Sequence, residues 1–232
     1  MQAADRDKLI VALDFNAYDD ARRLVDTLGD TVNFYKVGLE LLFSDGLALA
    51  SELKNDGRRI FLDMKFLDIG NTVEKAVASV ADLGFDFLTI HGTDTKTMKA
   101  ALKGRGASKL KLLAVTVLTS LDTQDLAEQG ITASPADLVL KRAKLARDAG
   151  FDGVIASGQE AASVRTATGK NFLIITPGIR LPGGEAGDQT RITTPEDALR
   201  AGASHLVVGR PITAATDPRH AAENVLAHIA MA

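Results

Sequence analysis

The first chemical lead is three charged residues at short spacing, Asp63, Lys65 and Asp68, in the run Phe61-Leu62-Asp63-Met64-Lys65-Phe66-Leu67-Asp68-Ile69. If this segment is extended, Asp63 and Lys65 lie two apart and share a face. A carboxylate and an ammonium in contact can be an ion pair that only offsets buried charge, but such pairs stabilise poorly relative to apolar packing. The alternative is a lysine held charged by flanking carboxylates, able to donate a proton or to stabilise a carbanion. Other polar residues stand where apolar runs end: Asp14, Lys36, His91, Thr119 with Ser120, Thr176-Pro177-Gly178-Ile179-Arg180, and Gly209-Arg210. Arg180 can make bidentate contacts and Gly209 permits close backbone approach before Arg210, a combination suited to phosphate.

These residues need a scaffold that brings distant strand ends together. Short apolar runs predict strands at Leu9–Leu13, Val32–Val37, Arg59–Leu62, Phe87–Ile90, Leu112–Leu118, Gly153–Ala156, Phe172–Thr176 and His205–Val208. They are nearly continuous in apolar residues, as expected of parallel strands covered on both faces. Helical stretches alternate with them at Ala17–Leu28, Asp45–Asn55, Thr72–Leu83, Thr95–Leu102, Ala136–Ala149, Gln159–Ala167, Thr194 to Gly202, and Pro218–Ile229. Pro just inside helix starts and Gly just past helix ends punctuate them. Eight βα units without a linker predict an α/β protein of one domain over 1–232, a (β/α)8 TIM barrel, in which active sites sit at the C-terminal strand ends. An open doubly wound sheet is the alternative, but no Gly-x-Gly-x-x-Gly follows the first strand. By alternation Tyr35 should face the helices rather than the barrel interior.

Composition excludes several chemistries. The 232 residues are 46% hydrophobic and 25% charged, an ordinary globular balance. A net charge of −3 gives no reason to expect nucleic acid or a membrane surface. The absence of cysteine removes disulfides, thiolate nucleophiles and Cys-ligated metals, and fits a cytoplasmic protein. The start, Met1-Gln2-Ala3-Ala4-Asp5-Arg6, has no apolar core for a secretory signal. The longest uncharged run, Leu112 to Leu121, falls well short of the ~18 apolar residues of a membrane span. None of the four histidines has a partner at metal-ligand spacing; His91 reads as a hydrogen-bonded strand-end residue, and His205 as structural. Arg22-Arg23 and Arg58-Arg59 read as solvated.

Asp-x-Lys-x-x-Asp-Ile at the end of a third strand resembles the signature of the orotidine monophosphate decarboxylase superfamily. The resemblance extends to Ala12-Leu13-Asp14, Lys36-Val37-Gly38, Val115-Thr116-Val117-Leu118-Thr119-Ser120, Thr176-Pro177-Gly178-Ile179-Arg180 and Val207-Val208-Gly209-Arg210-Pro211-Ile212-Thr213, in order over nearly the whole chain. Many bacterial members have His before Asp68 and Pro after Ile69, where this chain has Leu67 and Gly70. The resemblance implies decarboxylation of orotidine 5′-phosphate to UMP and carbon dioxide without metal, flavin or pyridoxal. It implies that Lys65 protonates C6, that Asp63 lies near the departing carboxylate, and that Lys36 and Asp14 contact the ribose. It further implies a homodimer in which Asp68 and Thr72 serve the neighbouring subunit's site, with Ile69 among the substrate-binding residues. Thr119 would meet the pyrimidine, with Pro177 beside the substrate, and Gln189 would bridge base and phosphate. Arg180, Gly209 and Arg210 would hold the phosphate. The segment Leu181–Gln189 reads as a loop that closes over it.

Three rivals remain. Magnesium-dependent sugar-phosphate enzymes of the same superfamily resemble the chain in Asp-x-Lys-x-x-Asp, but typically place an acidic ligand where Lys36 stands; Glu40 is the substitute to consider. A non-catalytic nucleotide-binding barrel would not need the Lys65 array. A Schiff-base aldolase would need Lys65 neutral, which flanking carboxylates oppose.

Overall fold

The computed structural model describes residues 3–181 and 191–232. Eight parallel strands form a closed barrel in sequence order: β1 Leu9–Ala12, β2 Phe34–Gly38, β3 Arg59–Phe66, β4 Phe87–His91, β5 Lys111–Val115, β6 Gly153–Ile155, β7 Leu173–Thr176 and β8 His205–Val208. The register closes through Leu9, Ile10 and Val11 of β1 against Leu206, Val207 and Val208 of β8. The (β/α)8 expectation therefore holds, and the open sheet is excluded by that closure.

Period-two alternation separates two cores. Leu9, Val11, Tyr35, Val37, Leu62, Leu88, Leu112 and Ala114 point outward and pack under the helices. Ile10, Ala12, Phe34, Phe61, Phe87, Leu113, Ile175 and Val207 fill the barrel. Tyr35 lies in the outer layer as expected, fully buried, with its hydroxyl donating to the Val32 carbonyl at 3.2 Å. Helices begin and end where local chemistry directs. In helix Pro135–Ala149, Ser134 accepts from the Asp137 amide, Pro135 occupies the first turn, and Gly150 closes the end at φ 99°.

Three sequence expectations are corrected. Strand β3 runs to Phe66, four residues past Leu62, so Asp63 and Lys65 lie within the strand and Asp68 beyond it. Strand β5 ends at Val115 rather than Leu118, and Thr116 donates its hydroxyl to the Ile155 carbonyl at 2.7 Å. Arg59 is not simply solvated. Its guanidinium lies 4.1 Å from the Phe34 ring centroid and 5.6 Å from that of Phe87, and pairs with Asp86 at 3.3 Å. Phe34, Phe87 and His205 stack edge to face beside it and close the base of the barrel.

Candidate active site

The alternation that fills the lower barrel with Phe34, Phe61 and Phe87 places Lys36, Asp63 and Thr89 inward one step higher, at the mouth. There the strand ends open onto a cavity of about 520 Å³. Asp14, Lys36, Asp63, Lys65, Thr119, Pro177, Arg180, Gly209 and Arg210 all line it, with Ala12, Phe61, Val115, Val117, Ile155 and Val207 as an apolar floor and wall. Nine residues expected from the sequence thus converge, contributed from six strands or the loops that follow them.

A chain of alternating charges crosses the mouth. Lys36 Nζ lies 2.9 Å from Asp14 Oδ1 and 3.6 Å from Asp63 Oδ2, and Lys65 Nζ lies 2.9 Å from the same Asp63 Oδ2. The Lys36 side chain is 10% exposed and that of Asp63 13%. Burial disfavours charge on Lys36, but Asp63 and Asp14 outweigh it and raise its pKa. Burial likewise opposes ionisation of Asp63, yet Lys36 and Lys65, with hydrogen bonds from Lys65 and Thr89, hold its pKa below the ordinary carboxylate value. Lys36 and Asp63 are therefore both charged near neutrality. Gly38 belongs to the same arrangement: a Cβ there would stand 2.9 Å from Lys36 Nζ and 3.2 Å from Asp14 Oδ1.

Lys65 does not reach Asp63 by simple strand alternation. Its φ is 52°, one of two positive values among the described non-glycine residues. The pairing of β3 with β4 shifts register there: Leu62 faces Leu88, whereas Phe66 faces Ile90. Three residues, 63 to 65, thus oppose Thr89 alone. A non-glycine residue in this region costs on the order of 1–3 kcal/mol and persists where its surroundings over-determine it. Thr89 supplies that constraint. It is fully buried, accepts from the Lys65 amide at 2.9 Å and donates to Asp63 Oδ1 at 2.9 Å. The sequence reading passed over Thr89; the available signal was a polar residue at the inward step after Phe87.

The opposite wall is cationic. Arg180 and Arg210 follow β7 and β8, the usual place for phosphate in such barrels. Burial, and then the like charge of Arg210, lowers the Arg180 pKa, and both arginines line the cavity. Beneath this wall lies a buried pair missed from the sequence. Arg191 contacts Glu160 and also donates to the Leu118 carbonyl at 2.8 Å. It ties the segment before helix Pro195–Arg200 to the loop that carries Thr119. No spacing motif marks Arg191, since its partners lie far away in sequence.

Other expected residues are placed differently. Asp68 is exposed, does not line the chain's own cavity, and accepts from the Ile69 amide at 2.6 Å. Ile69 is 72% exposed, and Thr72 is exposed in helix Gly70–Asp82. His91 ends β4 outside the cavity lining; burial, then Arg142 and Lys65, lowers its pKa. Ser120 is exposed away from the lining. Glu40 lines the rim and is exposed. Gln189 and residues 182–189 of the expected loop lie outside the described residues.

Comparison with known proteins identifies the family and agrees with the fold. The model of the orotidine 5′-phosphate decarboxylase / HUMPS family matches residues 7–225. The chain is 54% identical over 230 residues to an orotidine 5′-phosphate decarboxylase of Methylobacterium sp. (strain 4-46), covering 98% of this chain and 97% of that protein. It is 53% identical to one of Caulobacter sp. (strain K31), covering 96% and 97%. The crystal structure of orotidine 5′-phosphate decarboxylase from Lactobacillus acidophilus superposes with a TM-score of 0.83 at 39% identity, covering 95% of this chain and 98% of that one.

Proposed function

The chain belongs to the orotidine 5′-phosphate decarboxylase / HUMPS family, and from that premise we propose that it converts orotidine 5′-phosphate to UMP and carbon dioxide. It is a carboxy-lyase of pyrimidine nucleotide synthesis. The observation that carries the reading is the chain of contacts Asp14–Lys36–Asp63–Lys65, set in the mouth with two arginines also on its lining.

The chemistry asks for little more. When the bond from C6 to the carboxylate breaks, its electron pair stays on C6 and carbon dioxide leaves uncharged. The Lys65 ammonium stabilises that charge more than it stabilises the substrate, which is the condition for raising rate. Its proton then moves from Nζ to C6, and solvent restores the ammonium. Asp63 faces the departing carboxylate and holds Lys65 by the 2.9 Å contact. Lys36 and Asp14 meet the ribose hydroxyls. Thr119 meets the pyrimidine beside Pro177, and the family resemblance assigns Gln189 to base and phosphate. Arg180, Gly209 and Arg210 take the phosphate.

The magnesium-dependent reading fits less well. Lys36 is buried between two carboxylates where a divalent cation would need a ligand, and its charge opposes one. Among the described residues no three acidic or histidine side chains converge. A binding-only barrel would have no use for a lysine held in a left-handed backbone conformation against a carboxylate.

We also assign the chain to a homodimer with shared sites, folded as one domain per subunit. Leu39, Phe43, Leu47, Leu67 and Ile69 are all more than 40% exposed and lie in the segments that follow the adjacent strands β2 and β3, with Leu39 on the cavity lining. Large apolar side chains left exposed near a site favour association. Asp68, Ile69 and Thr72, turned away from their own cavity, would complete the partner's. The reading is of a cytoplasmic enzyme without nucleic-acid partners, in keeping with a net charge of −3; no described helix is long and apolar enough to cross a membrane.

The test is a decarboxylation assay on orotidine 5′-phosphate after exhaustive chelation. Release of carbon dioxide at an undiminished rate is expected. Activity that disappears with chelator and returns with magnesium would overturn the metal-free reading.

A further inference from the structure

We propose that Thr89 is a positioning residue for this reaction, its hydroxyl locking the Lys65 backbone and the Asp63 carboxylate into one unit. The inference rests on the decarboxylase reading and adds a residue to it. Thr89 does not line the cavity, so it acts through Asp63 and Lys65 rather than on substrate.

The hydrogen-bond inventory makes the assignment directional. A threonine hydroxyl has one proton to give. The Lys65 amide donates to Oγ1, so the hydroxyl proton is free to go to Asp63 Oδ1. That contact is satisfied by a carboxylate rather than by a carboxyl proton. With Oδ1 occupied, Oδ2 is left for Lys65 at 2.9 Å and Lys36 at 3.6 Å. The same hydroxyl also replaces the ladder partner that the Lys65 amide loses where β3 and β4 shift register. One side chain thus sets both the reach of the ammonium and the aim of the carboxylate. Its β-branched side chain is stiff and fully buried, suited to holding such a geometry.

The experiment compares Thr89→Val, Thr89→Ala and Thr89→Ser with wild type in the intact chain. Thr89→Val keeps the shape and removes both bonds, so kcat should fall about 100-fold with KM nearly unchanged, as for a reacting group displaced by about 1 Å. Thr89→Ser keeps the hydroxyl and should recover most of kcat. With 13C-labelled aspartate, the Asp63 carboxyl should titrate at higher pH in Thr89→Val than in wild type or Thr89→Ser, because an accepted hydrogen bond is lost. A merely structural threonine would change the melting temperature without this kinetic split or this titration shift. If the valine variant does not fold, the serine and alanine variants decide, and equal kcat in those two overturns the proposal. An active wild type with an unaltered Thr89→Val overturns it alone. A wild type that does not decarboxylate orotidine 5′-phosphate overturns the decarboxylase reading, and this one with it.

Discussion

Lys36 is the residue on which the chemistry turns. It is held between Asp14 and Asp63, and its neighbours leave no room on that side, because Gly38 closes within 2.9 Å of its ammonium at the missing Cβ. Gly38→Ala should therefore displace the ammonium without backbone strain. A loss of about tenfold or more in kcat/KM is expected, with the melting temperature near wild type; unchanged kinetics would mean that the placement of Lys36 does not matter. The pH behaviour follows from the same contacts. Asp63 titrates below its unfolded value, so its contribution is present above that value and lost as pH falls through the lowered one. Lys36 titrates above its unfolded value, so its contribution is present below that value and lost as pH rises through the raised one. The Asp63 and Lys36 charges both persist between these limits, and kcat should be flat across neutral pH in a pH–rate profile.

The elements around the site are tied by contacts that span long stretches of chain. The Arg191–Glu160 pair joins the segment before helix Pro195–Arg200 to helix Gly158–Thr168, and the Leu118 carbonyl brings in the loop after β5. Both residues are buried, Arg191 at 9% and Glu160 at 7% exposure. Removing one partner leaves the other charge buried and uncompensated. Arg191→Met should destabilise the protein by about 3–5 kcal/mol in urea unfolding, and adding Glu160→Gln should restore part of it. Because the Leu118 carbonyl also loses its donor next to Thr119, KM should rise. A stable Arg191→Met enzyme with wild-type KM would refute this coupling of the two loops.

At the scale of the molecule, base and mouth of the barrel have separate tasks. His205 at the base packs against Phe34 and Phe87, and burial, then Arg59, lowers its pKa to about 4. The unfolded chain therefore takes up the proton first, and stability should fall as pH drops from about 6.5 to about 4, by up to about 3 kcal/mol. His205→Gln should flatten that acid limb in unfolding measured against pH. The mouth, by contrast, is where two subunits are proposed to meet. Mixing Lys65→Ala chains with Asp68→Ala chains should regenerate activity, because one of the two sites in each hybrid dimer keeps both residues. No recovery despite demonstrated subunit exchange would rule out shared sites.

The sequence by itself determined the barrel, its eight strand positions to within a few residues, and most of the side chains at its mouth. That was possible because continuous apolar runs, helix punctuation and period-two alternation are local properties, and each polar residue at a strand end declares itself by interrupting an apolar run. Only the tertiary structure decided how Lys65 meets Asp63. Local spacing suggested a regular strand face, whereas the contact depends on a register shift against β4 and on the hydroxyl of Thr89, 24 residues from Lys65. The same holds for Arg191, whose partners lie 31 and 73 residues away, and for Arg59, which seals the base through rings on two other strands. A side chain's partners across a closed barrel depend on register and closure, and neither is written in the spacing of any one segment.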